Sequence, residues 1–162
     1  MRPRRPRARH PNPPPNWTML LIGALLCLTA APAYAQITIT ETAELDFGAV
    51  VDLNGSVVIN LNDTITSDPS GIHVGGFISS GIYTIQGDAL RTVDINIVAQ
   101  NSNGLNLTSF TTSEGSPPIL NAALDAVGEL DLTVGATLTV NSSLASPGFN
   151  QALAYTFTVN YN

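Results

Sequence analysis

The clearest pattern along the chain is the strict alternation of apolar and polar residues. From Leu153 to Tyr161 every second residue is apolar, with threonine, alanine or asparagine between. Because strand side chains point to opposite faces in turn, this segment predicts a strand with one buried face. Strands with one apolar and one polar face are typical of antiparallel sheets, which pack one face on the core and expose the other to solvent. The alternation recurs in Val57/Ile59/Leu61, Tyr83/Ile85, Val93/Ile95/Ile97/Ala99, Leu105/Leu107, Leu130/Leu132/Val134 and Leu138/Val140.

Turn-forming residues separate these segments. They are Asn54-Gly55, Asp68-Pro69-Ser70-Gly71, Asn103-Gly104, Glu114-Gly115-Ser116-Pro117-Pro118, Val134-Gly135 and Ser146-Pro147-Gly148. Gly75-Gly76 interrupts a strand-like run and predicts a bulge. Residues 119–127 are the one segment whose pattern also suits a short helix. Many short strands joined by turns predict an all-β fold, an antiparallel β-sandwich of roughly seven to nine strands.

The first strand has two interpretations. One face of an extended chain here would be apolar and would consist of Ile37, Ile39, Ala43, Leu45 and Phe47. Glu41 interrupts this face. The segment is either one strand with a break or a short tail before a strand that begins at Leu45.

The N-terminus has the three-part build of a secretory signal peptide. Five arginines lie within the first nine residues, an apolar run follows from Met19 to Ala31, and Ala33-Tyr34-Ala35 supplies small residues for cleavage. The apolar run is shorter than the roughly 20 residues that a transmembrane helix needs. We therefore predict a signal peptide over 1–35 and a single exported domain over 36–162, in the periplasm, on the cell surface or outside the cell. The position of the true start codon stays open.

Removal of the signal leaves a strongly acidic domain. Of 162 residues, 35 leave and 127 remain, with Arg91 as the one basic residue against 12 acidic ones, a net charge of −11. Such a domain repels phosphate, which argues against nucleic acid as a partner. Without cysteine it forms no disulfide, and its length suits one self-supporting core. No membrane span is predicted after the signal.

The residues left in the domain argue against catalysis. His73 is the single histidine of 36–162. It lies between the apolar residues Ile72 and Val74, so in a strand its side chain would point to the opposite face, and we predict that it faces solvent. No Gly-x-Ser-x-Gly motif accompanies it, and cysteine and lysine nucleophiles are absent from 36–162. We predict no enzyme activity, no catalytic residue and no cofactor.

Thiolate and multi-histidine sites for zinc or copper are excluded by the absent cysteine and the single histidine of 36–162, so calcium is the metal we consider. Two loops rich in carboxylate and amide oxygens supply candidates, although neither has EF-hand spacing: Asp52, Asn54, Asn62 and Asp63.

Four segments resemble the bacterial family known as domain of unknown function 4402. They are Leu45-Asp46-Phe47-Gly48, the region from Gly76-Phe77 to Tyr83-Thr84-Ile85, Val134-Gly135-Ala136-Thr137-Leu138-Thr139-Val140 and the closing Tyr155-Thr156-Phe157-Thr158-Val159-Asn160-Tyr161-Asn162. The resemblance spans nearly all of 36–162, and it implies export and an immunoglobulin-like β-sandwich. It implies no particular activity.

A more distant resemblance is to chaperone-usher pilins, which also end in an alternating strand with a penultimate tyrosine, here Tyr161, and a glycine some residues earlier, here Gly148. In those pilins another subunit's N-terminal tail completes the sheet by strand addition. The resemblance implies that 36–42 is a donor segment. The candidate assembly residues are then Ile37, Ile39, Tyr155, Phe157, Val159 and Tyr161.

We therefore expect a structural or adhesive protein of the bacterial cell surface, a fimbria-like subunit that assembles through edge-strand pairing. Its partners would be copies of itself or a periplasmic chaperone. The alternative is a periplasmic or extracellular module that binds carbohydrate or calcium. Whether the sheet is completed by the chain itself or by a donor strand stays open.

Overall fold

The computed structural model of the protein describes residues 35–100, 104–144 and 153–162, which form eleven β-strands and no helix. The strands are β1 (Thr38–Ala43), β2 (Ala49–Val50), β3 (Gly55–Ile59), β4 (Ile65–Ser67), β5 (His73–Gly75), β6 (Gly81–Gln86), β7 (Thr92–Gln100), β8 (Leu105–Thr112), β9 (Ile119–Ala123), β10 (Glu129–Val140) and β11 (Ala154–Tyr161). The predicted all-β fold is confirmed. Residues 1–34 of the predicted signal peptide, Asn103 and the turn at 146–148 lie outside the described residues.

The long strand β10 organises the larger, six-stranded sheet. Its first half pairs with β6 and its second half with β3, so these two strands lie end to end along one edge. β8 pairs with the other edge. β1 adds to β6 and β4 adds to β3, and every pairing is antiparallel.

The smaller sheet has three strands in the order β11-β7-β9, again antiparallel. The two sheets pack face to face through their alternate side chains. In β7 the buried positions are Val93, Ile95 and Ile97, and they share a cluster with Leu132 and Val134 of β10. A second cluster joins the far half of β10 to β3 and to the segment after β1. β2 and β5 form a separate two-stranded sheet.

The predicted turn at Val134-Gly135 is wrong, because β10 runs through it. A Cβ atom at Gly135 would lie 2.5 Å from the carbonyl oxygen of Ile59. The glycine therefore allows the backbones of β3 and β10 to approach closely. In the sequence, a glycine in this role is indistinguishable from one in a turn.

The helical interpretation of 119–127 is also wrong, because the segment contains β9. Ile119 and Ala122 are both buried, and this three-residue spacing imitates a helix. An irregularity in β9 produces it: Asn121 has a φ of 59°, and the register with β7 shifts between Val93 and Ile95.

The N-terminal ambiguity resolves in favour of a strand with a break. β1 pairs with β6 through Glu41 and Ala43, and the register shifts between these two residues. Leu45 and Phe47 follow as buried loop residues. Gly75, predicted with Gly76 to form a bulge, is the last residue of β5, and the register with β2 shifts beside it, since Ala49 pairs with Gly75 and Val50 with His73.

Candidate functional site

The strand that the C-terminal alternation predicted is β11, and it lies at the edge of the smaller sheet. All eight residues pair with β7 without a register shift. The N–H of Asn162 donates to the carbonyl oxygen of Thr92, which places the even-numbered residues on the hydrogen-bonded side facing β7. The odd-numbered residues Tyr155, Phe157 and Val159 therefore direct their N–H and C=O groups away from β7.

The inward side chains of β11 fix it to the larger sheet. The Phe157 ring lies 4.9 Å from the Tyr83 ring of β6. At the other end, the hydroxyl of Tyr161 accepts a hydrogen bond of 2.6 Å from the N–H of Asp88. Gly87 leaves room for that hydroxyl, since a Cβ atom there would lie 2.4 Å from it. The inward side chains hold the strand, and among the described residues no other strand pairs with its outer backbone edge.

The other four edge strands of the two larger sheets each carry a feature that hinders pairing. β1 has a register shift and the charged Glu41, and β4 has only three residues. β8 contains Ser109 at a φ of 49° beside a register shift, and β9 contains Asn121 in the same conformation. Short length, charge and bulges are the usual ways in which proteins protect sheet edges. β11 has none of them.

The two N-terminal candidates, Ile37 and Ile39, lie beside β6 in the same chain. Ile39 pairs with Ile85 and is 38% exposed, whereas Ile37 packs against the cluster that also holds the inward side chains of β11. Ile37 thus packs against the same buried cluster as Tyr155, Phe157, Val159 and Tyr161. Within one chain, β1 itself completes the sheet at β6.

A chain of hydrogen bonds links β1, β6 and β11, and the sequence analysis missed it. The Tyr83 hydroxyl lies 2.7 Å from a carboxylate oxygen of Glu41 and also contacts the Tyr155 hydroxyl. Burial raises the pKa of Tyr83 far above its ordinary value, and the hydrogen bonds to Tyr155 and Glu41 act in the same direction. Tyr83 therefore stays protonated and can donate. The signal for it was Glu41 itself, a polar residue on an apolar face.

The calcium candidates do not converge. Asp52 and Asn54 precede β3 while Asn62 and Asp63 follow it, and a five-residue strand is roughly 16 Å long. An oxygen of Asn54 accepts from the Ser142 N–H at 2.8 Å, and one of Asp63 accepts from the Ser80 N–H at 2.7 Å. That second bond lowers the pKa of Asp63. Among the described residues, no three His, Cys, Asp or Glu side chains form a group able to hold a metal.

The prediction that His73 faces solvent is wrong. Its Nε2 is buried and has no hydrogen-bond partner in the described part of the chain, whereas Val74 is 61% exposed. Parity fails here because β5 has three residues and its register with β2 shifts between Ala49 and Val50. The ring nitrogen lies against Gly48, where a Cβ atom would be 3.1 Å away.

Comparison with known proteins identifies the family and no activity. In 35–100, 104–144 and 153–162, no helix is long and apolar enough to cross a bilayer. No curated protein matches the chain. The family model described as Domain of unknown function (DUF4402) matches residues 37–161, which include all eleven strands. The chain therefore belongs to the family Domain of unknown function (DUF4402).

Proposed function

We propose that this protein is an exported structural or adhesive component of the bacterial cell surface, whose copies join through strand pairing. The observation that carries the proposal is the edge of β11, which is eight residues long, unbulged and without a charged side chain. An edge with outward N–H and C=O groups is a template for another strand.

Charge supports the choice of β11. Copies of a domain with a net charge of −11 repel each other, so a contact between them meets the least repulsion where acidic side chains are absent. No acidic residue lies between Leu153 and Asn162. The nearest one in the sheet is Asp94 of β7, one strand in from the edge.

The N-terminal segment offers a second route to assembly. β1 is the first strand of the domain, and its residues from Thr38 to Thr42 are all exposed. Its exchange between copies would reproduce the pairing with β6 that already exists within one chain. This route is the donor-strand idea implied by the resemblance to pilins.

The binding-module alternative has less support. A calcium site would need ligands drawn together, and the four candidates lie at the two ends of β3. For carbohydrate, the candidate is an open depression beside Asn54, Ser56, Thr139 and Asn141, which has no aromatic side chain among its lining residues for a sugar ring to stack on.

The test compares two lysine substitutions on the exposed face of the smaller sheet. Thr158 of β11 and Asn96 of β7 are paired neighbours, and both are exposed. We expect Thr158→Lys to abolish oligomers because it charges the edge, and Asn96→Lys to leave them intact. The readouts are analytical ultracentrifugation and negative-stain imaging of the full chain exported by a bacterial host.

The results for the lysine variants distinguish assembly through the β11 edge from assembly through exchange of β1. If Thr158→Lys assembles like the unmodified chain, the β11 route is wrong and exchange of β1 is the route that remains. If the unmodified chain is monomeric at the cell surface, the proposal of a self-assembling subunit is wrong.

A further inference from the structure

We infer that export leaves Gln36 as the first residue of the domain and that its α-amine then closes onto its own side chain, so that the exported protein begins with pyroglutamate. This inference rests on the proposed function, because it requires export and the removal of residues 1–35. It adds a modification site, an N-terminal lactam, and the reaction that forms it.

The reaction uses only atoms of Gln36. The neutral α-amine nitrogen attacks the side-chain amide carbon Cδ and forms a C–N bond, which closes a five-membered ring. The bond from Cδ to Nε2 then breaks, and the amine passes one proton to the departing nitrogen, which leaves as ammonia. The step needs no oxidant or metal, and it is favoured because both reacting groups belong to one residue.

The structure gives Gln36 room to react. Gln36 is exposed and precedes β1, which begins at Thr38. Ile37 packs against the buried cluster between the sheets, and Thr38 pairs with Gln86 of β6. The chain is therefore anchored from Ile37 onward, and closing the ring at Gln36 breaks none of the pairing between β1 and β6.

A carboxylate offers the amine a competing interaction. Asp88, in the loop after β6, accepts a hydrogen bond of 3.0 Å from the N–H of Ala35, one residue before the new N-terminus. Once Ala35 is removed, the protonated amine of Gln36 is a donor that could replace it. Exposed ion pairs contribute little to stability, whereas the ring persists after ammonia has left. We therefore expect Asp88 to slow ring closure and not to prevent it.

The lactam protects the strand on which the second assembly route depends. The residues of β1 from Thr38 to Thr42 are exposed, and chain ends are preferred sites of proteolysis. An aminopeptidase recognises a free α-amine, and a lactam has none. Trimming of β1 from its N-terminal side is therefore blocked once the ring has formed.

The mass of the exported chain tests the inference. The full chain is exported by a bacterial host and incubated at neutral pH, and we expect the mass of residues 36–162 less one ammonia. Sequential degradation from the N-terminus should give no first residue, and aminopeptidase should leave the chain intact. Arg91 is the one tryptic site in 36–162, so fragmentation of the peptide 36–91 locates the loss.

Gln36→Asn is the matched control. It keeps the side-chain amide but shortens the side chain by one methylene, so the same attack would have to close a strained four-membered ring. This variant should lose no ammonia, give a readable first residue and be trimmed by aminopeptidase. Asn54 and Asn103 precede glycine and can also lose ammonia. The same loss in Gln36→Asn therefore comes from another site and overturns the inference.

Three further results overturn it in distinguishable ways. An exported chain that still begins with a free amine at Gln36 after incubation refutes the ring and leaves export standing. An exported chain that is cleaved at another bond refutes the predicted cleavage position and the inference with it. A chain that keeps residues 1–35 and stays inside the host contradicts export, on which both the inference and the proposed function depend.

Discussion

β8 and β11 are both eight-residue strands at sheet edges, and neither carries a charged side chain. They differ in the course of the backbone. β8 places Ser109 and Phe110 opposite the single residue Ala136, whereas β11 follows β7 residue for residue. A bulge twists an edge away from further pairing. The comparison shows that two edges alike in length and charge can differ in the course of the backbone, so composition alone does not decide whether an edge is suited to further strand pairing.

The two strands also differ in how they are anchored. β8 lies against the central strand β10 and contributes the buried residue Leu107. β11 lies against β7, and its inward side chains are all only half-buried. The strand with the open edge is therefore also the more weakly packed one, which makes its inward aromatic rings important for its position.

The largest effect is expected from truncating those rings. Phe157→Ala removes the ring that packs on Tyr83, and we expect a loss of about 3 kcal/mol in the free energy of unfolding. Phe110→Ala in β8 should cost less, about 2 kcal/mol, because β10 still holds the strand. Urea denaturation of both variants measures the difference. An equal or larger loss for Phe110→Ala would contradict the idea that β11 depends more on its side chains.

A glycine placed in each strand tests the backbone difference directly. Ser109 has a φ of 49°, a conformation that costs a residue with a side chain about 1 kcal/mol or more. We expect Ser109→Gly to stabilise the protein by about 0.5 kcal/mol. Thr158→Gly in the regular strand should destabilise it by about 0.5–1 kcal/mol. Melting temperatures of the pair give the sign, and a loss for both variants would mean that the bulge is not strained.

The smallest effects are expected from acid, which should destabilise the fold but strengthen pairing at the β11 edge. The pKa of Asp63 is lowered by the Ser80 N–H, and that of Asp125 by the Glu129 N–H. Their stabilisation is complete above the unfolded pKa, about 3.9, and is lost as the pH falls through the lower folded value. β11 has no carboxylate, so its pairing should strengthen from pH 7 to about pH 4 as the repulsion between copies declines. Sedimentation and thermal melts across this range test both halves, and oligomers that weaken while the fold stays intact would contradict the second.

Local patterns predicted the strands that bury one face in regular alternation. The alternation around Val93, Leu132 and Phe157 correctly predicted β7, β10 and β11. It succeeded because a two-residue period follows from the geometry of an extended chain. The predictions failed where the backbone departs from that period. Asn121 made β9 resemble a helix, and Gly135 made the middle of β10 resemble a turn.

For the candidate site, the sequence determined the identity and parity of the β11 residues and the absence of charge among them. It did not determine which strand lies beside them. Only the tertiary structure placed β1 against β6, tied Glu41 to Tyr83, bulged β8 at Ser109 and left β11 at an edge. The physical reason is one of range: alternation is set by neighbouring residues, whereas the exposure of an edge depends on strands far away in the chain.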